Sequence, residues 1–147
     1  MCLVIVDADV AARVLITPND REFGLLNRAL FGRRRPNPIL IYGGRLGDEY
    51  RRSRVIARAV LSLDRAGRAR AVADVEIEAE AQDIRTNGTA FSNDDHVLAL
   101  ARVSGARILC SKDRALRADF KNRAILNGPR GKLYSKGSHK AVLTHNC

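Results

Sequence analysis

Short, continuous apolar runs alternate with longer segments of helical periodicity along this chain. Residues 3–6, 39–42 and 108–110 are apolar runs of strand length, without the polar alternation of a strand that has one solvated face. Such runs are typical of parallel strands that are covered on both sides by helices. The pattern therefore predicts an α/β fold, a three-layer α/β/α sandwich around a mostly parallel central sheet.

The segments between these runs show helical spacing and capping signals. Helices are expected at residues 8–16, 45–66, 74–85 and 92–104. Two more are expected, one that starts at the capping signal of residues 17–20 and one that follows residue 113. Ser92 or Asn93 would cap the helix that Gly105 ends. Short extended pieces are expected at residues 68–72, 124–126 and 132–134, the last within an otherwise irregular tail.

The chain has 147 residues, which suits a single domain with one hydrophobic core. No apolar run approaches the roughly 20 residues of a membrane span, and the first residues lack the basic lead of a signal peptide. Three cysteines (Cys2, Cys110 and Cys147) are too few and too scattered for a disulfide framework or a zinc site. We expect Cys2 and Cys110 to be small buried hydrophobes, in a cytoplasmic protein that makes no membrane contact.

The strongly basic balance of the chain indicates a polyanionic partner. With 26 Lys and Arg against 16 Asp and Glu, the net charge is +10. A field of this sign attracts nucleic acids, although a solubilising surface, or one masked by an acidic partner protein, would have the same composition. Aromatic residues make up 5% of the chain and Trp is absent, so contact through the phosphate backbone is favoured over base stacking.

Four acids are expected to meet at one edge of the predicted sheet. Asp7 and Asp113 follow apolar strands, and Asp94 begins a helix that enters from the same edge. Glu49 lies early in the helix that follows the second strand. Carboxylates gathered in this way repel one another unless cations occupy the site, and hard oxygen ligands suit Mg²⁺ or Mn²⁺. A divalent metal held there can activate a water for attack on phosphorus.

Each of these acids also has a purely structural interpretation. An acid beside a helix start can serve only as its cap, which would apply to Asp7, Asp94 and Asp113. Glu49 can be an exposed acid that pairs with an arginine at helical spacing. If the site does bind nucleic acid, basic residues on its rim would steer the phosphates, and the candidates are Arg45, Arg52 and Lys112.

Four parts of the sequence carry a family resemblance: residues 3–10, Glu49, residues 94–101 and residues 108–113. Their order and spacing resemble the PIN-domain nucleases, a group that includes the VapC-type toxins of toxin–antitoxin pairs. The resemblance covers residues 2–126. It implies a Rossmann-like α/β/α sandwich, an acidic site for Mg²⁺ or Mn²⁺, and single-strand-selective cleavage of RNA.

Position by position, the resemblance implies roles for particular residues. The catalytic, metal-binding acids would be Asp7, Glu49, Asp94 and Asp113, in chain order. Ser111 matches the Ser or Thr usually found two residues before the last acid, and we group it with the substrate-binding residues. The resemblance also implies a homodimer and, for a toxin, a cognate antitoxin protein as partner.

Adjacent acids leave the match ambiguous at two positions. Asp95 lies beside Asp94, but apolar residues three, four and seven positions after Asp94 match the family's helix pattern. Asp94 is therefore preferred, and Asp95 is kept as the alternative. Asp48 raises the same question beside Glu49, and Asp9 stands where Asn or Ser is common in the family.

The resemblance ends before the chain does. We assign residues 1–126 to a PIN-like nuclease domain and residues 127–147 to a basic C-terminal extension of the same domain. The function that this organisation predicts is a metal-dependent endoribonuclease, which hydrolyses RNA phosphodiester bonds at the four-carboxylate site. The role of toxin in a toxin–antitoxin pair is an extension of that prediction, since PIN nucleases that are not toxins share the same core.

Two other functions fit parts of the sequence. Residues 7–10 also look like the nucleophile motif of haloacid-dehalogenase-type phosphatases, in which Asp7 would accept a phosphoryl group beside Mg²⁺. Asp94 and Asp95 would then be the late acidic pair, but they open a helix instead of ending a strand. The other function is a non-catalytic, basic RNA-binding protein whose acids are helix caps.

Overall fold

A central parallel sheet organises the structure, a computed structural model that describes residues 2–33 and 37–147. The strands are β1 Leu3–Val6, β2 Ile39–Gly43, β3 Ala69–Val72, β4 Ile108–Cys110 and β5 Lys132–Leu133. They form one sheet in the order β3-β2-β1-β4-β5, and each neighbouring pair is parallel. The predicted α/β class with a parallel central sheet is confirmed.

Helices enclose this sheet and make the fold a three-layer α/β/α sandwich. The α-helices are α1 Ala11–Leu15, α2 Gly24–Phe31, α3 Gly44–Arg51, α4 Arg54–Arg65, α5 Asp74–Asn87, α6 Asp95–Ser104, α7 Arg114–Phe120 and α8 Ala141–Asn146, and the 3₁₀ helices are η1 Ala8–Val10 and η2 Gly137–Lys140. One group of helices forms where α1 contacts α2 and α4, and another where α5 packs along α6. None of these described helices has the length and apolarity that crossing a bilayer requires.

The strand order reverses between β1 and β4. From β1 the chain moves to β2 and β3 on one side, and it then crosses back to β4 on the other side of β1. The register pairs Val6 with Cys110, so the residues that follow them leave the sheet side by side at its carboxyl edge. These residues are Asp7 and Ser111. In open α/β sheets, this reversal point is where ligands bind.

The single helix predicted over residues 45–66 is wrong, because the segment forms two helices. α3 ends at Arg51, and α4 begins at Arg54 after Ser53, whose backbone is extended (φ −114°, ψ 120°). The hydroxyl of Ser53 accepts a hydrogen bond from Ile56 N at 3.3 Å and so caps α4. A serine within a helical pattern can act in this way because its side chain competes for backbone donors.

The helix start predicted at residues 17–20 is also wrong. Oδ1 of Asp20 accepts hydrogen bonds from the backbone N–H groups of Glu22 and Phe23, both at 2.9 Å, and its other oxygen pairs with Arg13. These contacts hold a turn, and α2 begins only at Gly24. The hydrogen bond from Arg13 is the main reason that the pKa of Asp20 is lowered to about 2.

The C-terminal extension is more regular than the sequence predicts. The strand expected at residues 132–134 is present as β5, but η2 and α8 follow it where an irregular tail was expected. The strand predicted at residues 124–126 is wrong, because these residues form a turn in which Ile125 and Leu126 are buried. Tyr134 and Leu143 are buried as well, so the extension packs onto the domain that precedes it.

A disulfide joins Cys2 to Cys147, with their Cα atoms 4.8 Å apart. The expectation that Cys2 is only a buried hydrophobe is therefore wrong, and a pairing across 145 positions gives no signal in local sequence. Cys110 is free and buried, as expected. The disulfide fastens the end of α8 to the residue that precedes β1, at the amino edge of the sheet.

Candidate functional site

Asp7 and Ser111 meet at the carboxyl edge of the sheet, where the strand order reverses. The backbone N–H of Asp7 donates to Cys110 O at 2.9 Å, which extends the β1–β4 ladder by one bond. The hydroxyl of Ser111 donates to Oδ2 of Asp7 at 2.8 Å, and Ala8 N donates to Oδ1 at 2.8 Å. Because Ser111 is completely buried, this hydrogen bond fixes the orientation of the Asp7 carboxylate.

The surroundings of Asp7 disfavour its charged form. Burial, the largest cause, raises the pKa of the Asp7 carboxyl to about 7, and the charges of Asp9 and Asp94 act in the same direction. The hydrogen bonds from Ser111 and Ala8 oppose this rise. A carboxylate destabilised in this way by burial and like charges is more common at functional sites than on ordinary surfaces.

Asp113 follows β4 and belongs to the same edge. Its backbone N–H donates to Oγ of Ser111 at 3.1 Å, so one serine hydroxyl contacts both Asp7 and Asp113. Oδ1 of Asp113 accepts a hydrogen bond from Leu116 N at 3.0 Å and thereby caps α7. The cap role expected as an alternative is thus present, together with a position beside the other acids.

Asp94 and Asp95 are adjacent in sequence but have different surroundings. Asp94 precedes α6, yet among the described residues its carboxylate makes no capping hydrogen bond. Burial raises the pKa of Asp94 most, and the charges of nearby acids raise it further, namely Asp113, Glu49, Asp9 and Asp95. Asp95, in contrast, is buried and its carboxylate pairs with Arg85. Of the two, Asp94 is the acid that no cation among the described residues neutralises.

Glu49 lies on α3 and is exposed. Within residues 2–33 and 37–147 it makes no hydrogen bond or salt bridge, and the neighbouring Asp48 is the acid that pairs with Arg51. The next residue, Tyr50, is buried, and its hydroxyl donates to Val6 O at the end of β1. Tyr50 therefore anchors α3 beside Asp7. The sequence marks Tyr50 only as a member of the apolar face.

A buried acid that the sequence analysis missed holds the loop in front of Asp94. Asp119 on α7 is completely buried, and its carboxylate accepts hydrogen bonds from Phe91 N at 3.0 and 3.1 Å and from Ser92 N at 2.8 Å. The signal in the sequence was an acid on the apolar face of a short helix.

The prediction of Ser92 or Asn93 as the cap of α6 is wrong, since Asp94 occupies the cap position.

The predicted basic rim is only partly free to bind a ligand. Arg45 and Arg52 are exposed, and neither forms a salt bridge with any residue in the described part of the chain. Nζ of Lys112 contacts Oε2 of Glu22 at 2.6 Å and lies 5.7 Å from the centre of the Phe23 ring. Lys112 is thus already paired, although its backbone N–H reaches Oδ2 of Asp9 at 2.9 Å.

The acids share an edge without forming a tight cluster. Among residues 2–33 and 37–147, no three His, Cys, Asp or Glu side chains stand close enough together to hold one metal ion. Asp94 nevertheless links them electrostatically. After burial, the charges of Asp113 and Glu49 raise the pKa of Asp94, and the charge of Asp94 in turn helps to raise the pKa of Asp7. Mutual repulsion is the expected behaviour of carboxylates that lack a cation, and a divalent ion would offset it.

Comparisons with known proteins do not decide the family. No family model, characterised protein or solved structure matches the chain. The function must therefore be argued from the chemistry of the carboxyl edge and from the charge of the surfaces beside it.

Proposed function

We propose that this protein is a metal-dependent endoribonuclease of the PIN type, with its active site at the carboxyl edge of the sheet. The observation that supports this best is the state of Asp94. Its carboxylate caps no helix in the described residues, and burial together with the charges of nearby acids, Asp113 first, raises its pKa. A purely structural acid would be capped or paired, as Asp95 is with Arg85.

The acids proposed to hold Mg²⁺ or Mn²⁺ are Asp7, Glu49, Asp94 and Asp113. When bound, such an ion activates water for attack on phosphorus and neutralises charge on the phosphodiester. The protein contributes the placement of the ligands. Ser111 orients Asp7, and Tyr50 fixes the helix that carries Glu49.

A basic groove beside Asp113 supports an RNA substrate. The groove has a volume of about 320 Å³ and is lined by Arg114, Arg117 and Lys121 of α7, together with Ala118 and Leu133. In the described part of the chain none of these three cations forms a salt bridge. These cations lie along α7, which starts directly after Asp113, and such a row of positive charges suits the phosphate backbone of a single strand. This mode of binding agrees with the net charge of +10.

The resemblance to PIN nucleases carries two further parts of the proposal. One is a homodimer. The other is a toxin role, in which an antitoxin protein would neutralise the ribonuclease in the cytoplasm. Expression of the protein alone should then arrest growth, and co-expression of the product of an adjacent small gene should restore it. If the protein cleaves RNA but its expression does not arrest growth, the toxin role is wrong and the assignment as a ribonuclease stands.

The test of the enzyme compares acids that differ in their predicted role. Asp7→Asn and Glu49→Gln should abolish Mn²⁺-dependent cleavage of single-stranded RNA, while Asp48→Asn, which alters the acid beside Glu49, should leave it intact. Circular dichroism and thermal melts establish that each variant is folded. Full cleavage by Asp7→Asn would overturn the assignment. Turnover of a small phosphate ester without RNA cleavage would indicate a phosphatase instead.

A further inference from the structure

Phe91 is displayed on the surface in a way that the other aromatic residues are not. It is 85% exposed, the highest value among the exposed large hydrophobic residues that the structure describes. The chain has only seven aromatic residues, four Phe and three Tyr. Four of the others are buried (Phe23, Tyr50, Phe120 and Tyr134), and Phe31 is 37% exposed.

The buried carboxylate of Asp119 holds the backbone at Phe91 in place. Both carboxylate oxygens of Asp119 accept hydrogen bonds from Phe91 N, at 3.0 and 3.1 Å, and one of them also accepts from Ser92 N at 2.8 Å. Asp119 is completely buried, and a buried carboxylate is costly unless donors such as these satisfy it. The fold therefore uses a buried charge to fix the loop at the residue whose ring faces solvent.

Phe91 also lies close to the acidic edge. Asp94 is the third residue after it, so their Cα atoms can be no more than about 11 Å apart. Its neighbours in sequence include the polar, exposed residues Thr89 and Asn93. Among residues 86–96, all of which the structure describes, Phe91 is the single exposed large hydrophobic. An isolated ring on a polar loop suits a flat ligand better than an apolar protein surface.

We propose that Phe91 is a nucleobase-binding platform on which an unpaired base of the RNA stacks next to the cleaved bond. This inference rests on the proposed function. Stacking on an aromatic side chain tolerates any base, because each base has a π face. It would add a base contact to the backbone contacts made by Arg114, Arg117 and Lys121. It would also favour single strands, in which the bases are free to leave the helix stack.

The absence of Trp from the chain makes the test direct. Phe91→Trp introduces a single tryptophan at the proposed platform, and Phe31→Trp provides the control at another exposed phenylalanine. Both are combined with Asp7→Asn, and metal is removed with EDTA, so that RNA is bound without being cut. Binding of a labelled single-stranded oligoribonucleotide is followed separately by fluorescence anisotropy.

The expected result is quenching of the indole emission of the Phe91→Trp protein, which saturates together with the anisotropy. The emission of the Phe31→Trp protein should stay unchanged. An abasic oligomer with the same phosphates should bind to the Phe91→Trp protein with little quenching. Phe91→Ala should weaken RNA binding about 5- to 100-fold. Phe91→Tyr keeps an aromatic ring and should bind RNA as tightly as the protein with Phe91 does.

Two outcomes would overturn this inference alone. The first is RNA binding by the Phe91→Trp protein without quenching of its indole emission. The second is a blue shift of that emission that depends on protein concentration in the absence of RNA, since it would show that a second copy covers the ring. If the anisotropy shows no RNA binding by any variant, the proposed function fails as well.

Discussion

Charged side chains at the two edges of the sheet differ in how completely hydrogen bonds satisfy them. At the amino edge, Arg68 precedes β3, and its guanidinium donates to Gly32 O and, at 2.9 Å, to Leu30 O at the end of α2. Arg107 precedes β4 and donates to four backbone carbonyls, those of Ala101, Ala106, Asn127 and Pro129. These cations complete helix ends and loops, so their role is structural.

At the carboxyl edge the charged groups are incompletely satisfied. Asp94 caps nothing in the described residues, Glu49 has no hydrogen-bond partner there, and Asp7 is half-buried near other acids. Burial and then the charges of Asp113 and Glu49 raise the pKa of Asp94. Arg107 at the amino edge, in contrast, donates to the backbone carbonyl oxygens that surround it. The comparison supports the proposal that the carboxyl edge, unlike the amino edge, binds a ligand.

The largest difference should appear when Asp94 and Asp95 are compared. Asp94→Asn should lower the rate of metal-dependent RNA cleavage by about 10³-fold without loss of stability, since it removes a repelled charge. Asp95→Asn should keep the activity of the folded protein but lower its free energy of unfolding by about 1–2 kcal/mol, because Arg85 loses its partner. Cleavage rates and urea unfolding of both variants check this. A reversal of the two phenotypes would make Asp95 the site residue.

At the amino edge, substitution should affect stability and leave activity unchanged. Arg107→Ala removes the arginine donor from four carbonyl groups, of which Ala101 O keeps a hydrogen bond from Gly105 N, and should cost about 2–3 kcal/mol of unfolding free energy. Arg130→Ala is the matched control, since Arg130 is exposed and lines a cavity at the amino edge together with Arg107. Urea unfolding measures both. Equal stability of the two variants would contradict the structural role of Arg107.

The pH dependence of stability should carry a contribution from Asp7. In the unfolded chain this acid loses its proton near pH 4, but in the folded protein it does so near pH 7. Between these values the folded state binds more protons, so stability without metal should fall as pH rises from 4 to 7 and then level off. Asp7→Asn should remove about 1 kcal/mol of this fall, a figure reduced for partial exposure. The free energy of unfolding is measured at pH 4.5 and 7.5 for the wild type and for Asp7→Asn. An equal change between the two pH values in both proteins would refute the raised pKa of Asp7.

The smallest expected effect concerns the groove on α7. Replacement of Arg114, Arg117 and Lys121 by Ala should reduce the slope of log affinity for RNA against log salt by about 0.7 for each phosphate that the protein no longer neutralises. The control replaces three exposed arginines at the amino edge, Arg33, Arg65 and Arg130, and makes the same change in net charge. Anisotropy titrations at several salt concentrations measure the slopes. An equal reduction of slope in the control would mean that net charge, and not the groove, binds RNA.

Local patterns were sufficient to predict the three central strands of the sheet and the edge at which Asp7 and Asp113 lie. The apolar runs placed β1, β2 and β4, and the rule for parallel sheets placed Asp7 and Asp113 at one edge. Interactions between distant residues could not be predicted in this way. Asp119 bonds a loop 28 positions away, and the hydroxyl of Tyr50 bonds a strand 44 positions away.

The two errors in helix boundaries arose from side chains that accept hydrogen bonds from backbone N–H groups. A serine inside a helical pattern and an aspartate at a helix start look ordinary in sequence, yet Ser53 divides a helix and Asp20 delays one. The different surroundings of Asp94 and Asp95 also depended on a partner, Arg85, that lies on a different helix.

The most direct test of the central claim is a titration of the protein with Mn²⁺ in the absence of RNA. Isothermal calorimetry at pH 8 should detect binding by the wild-type protein and an affinity weaker by roughly tenfold or more in Asp7→Asn and in Asp94→Asn. Asp48→Asn, the control, should bind as the wild type does. Binding that is the same in all four proteins, or absent from the wild type, would contradict the assignment of the carboxyl edge as a metal site.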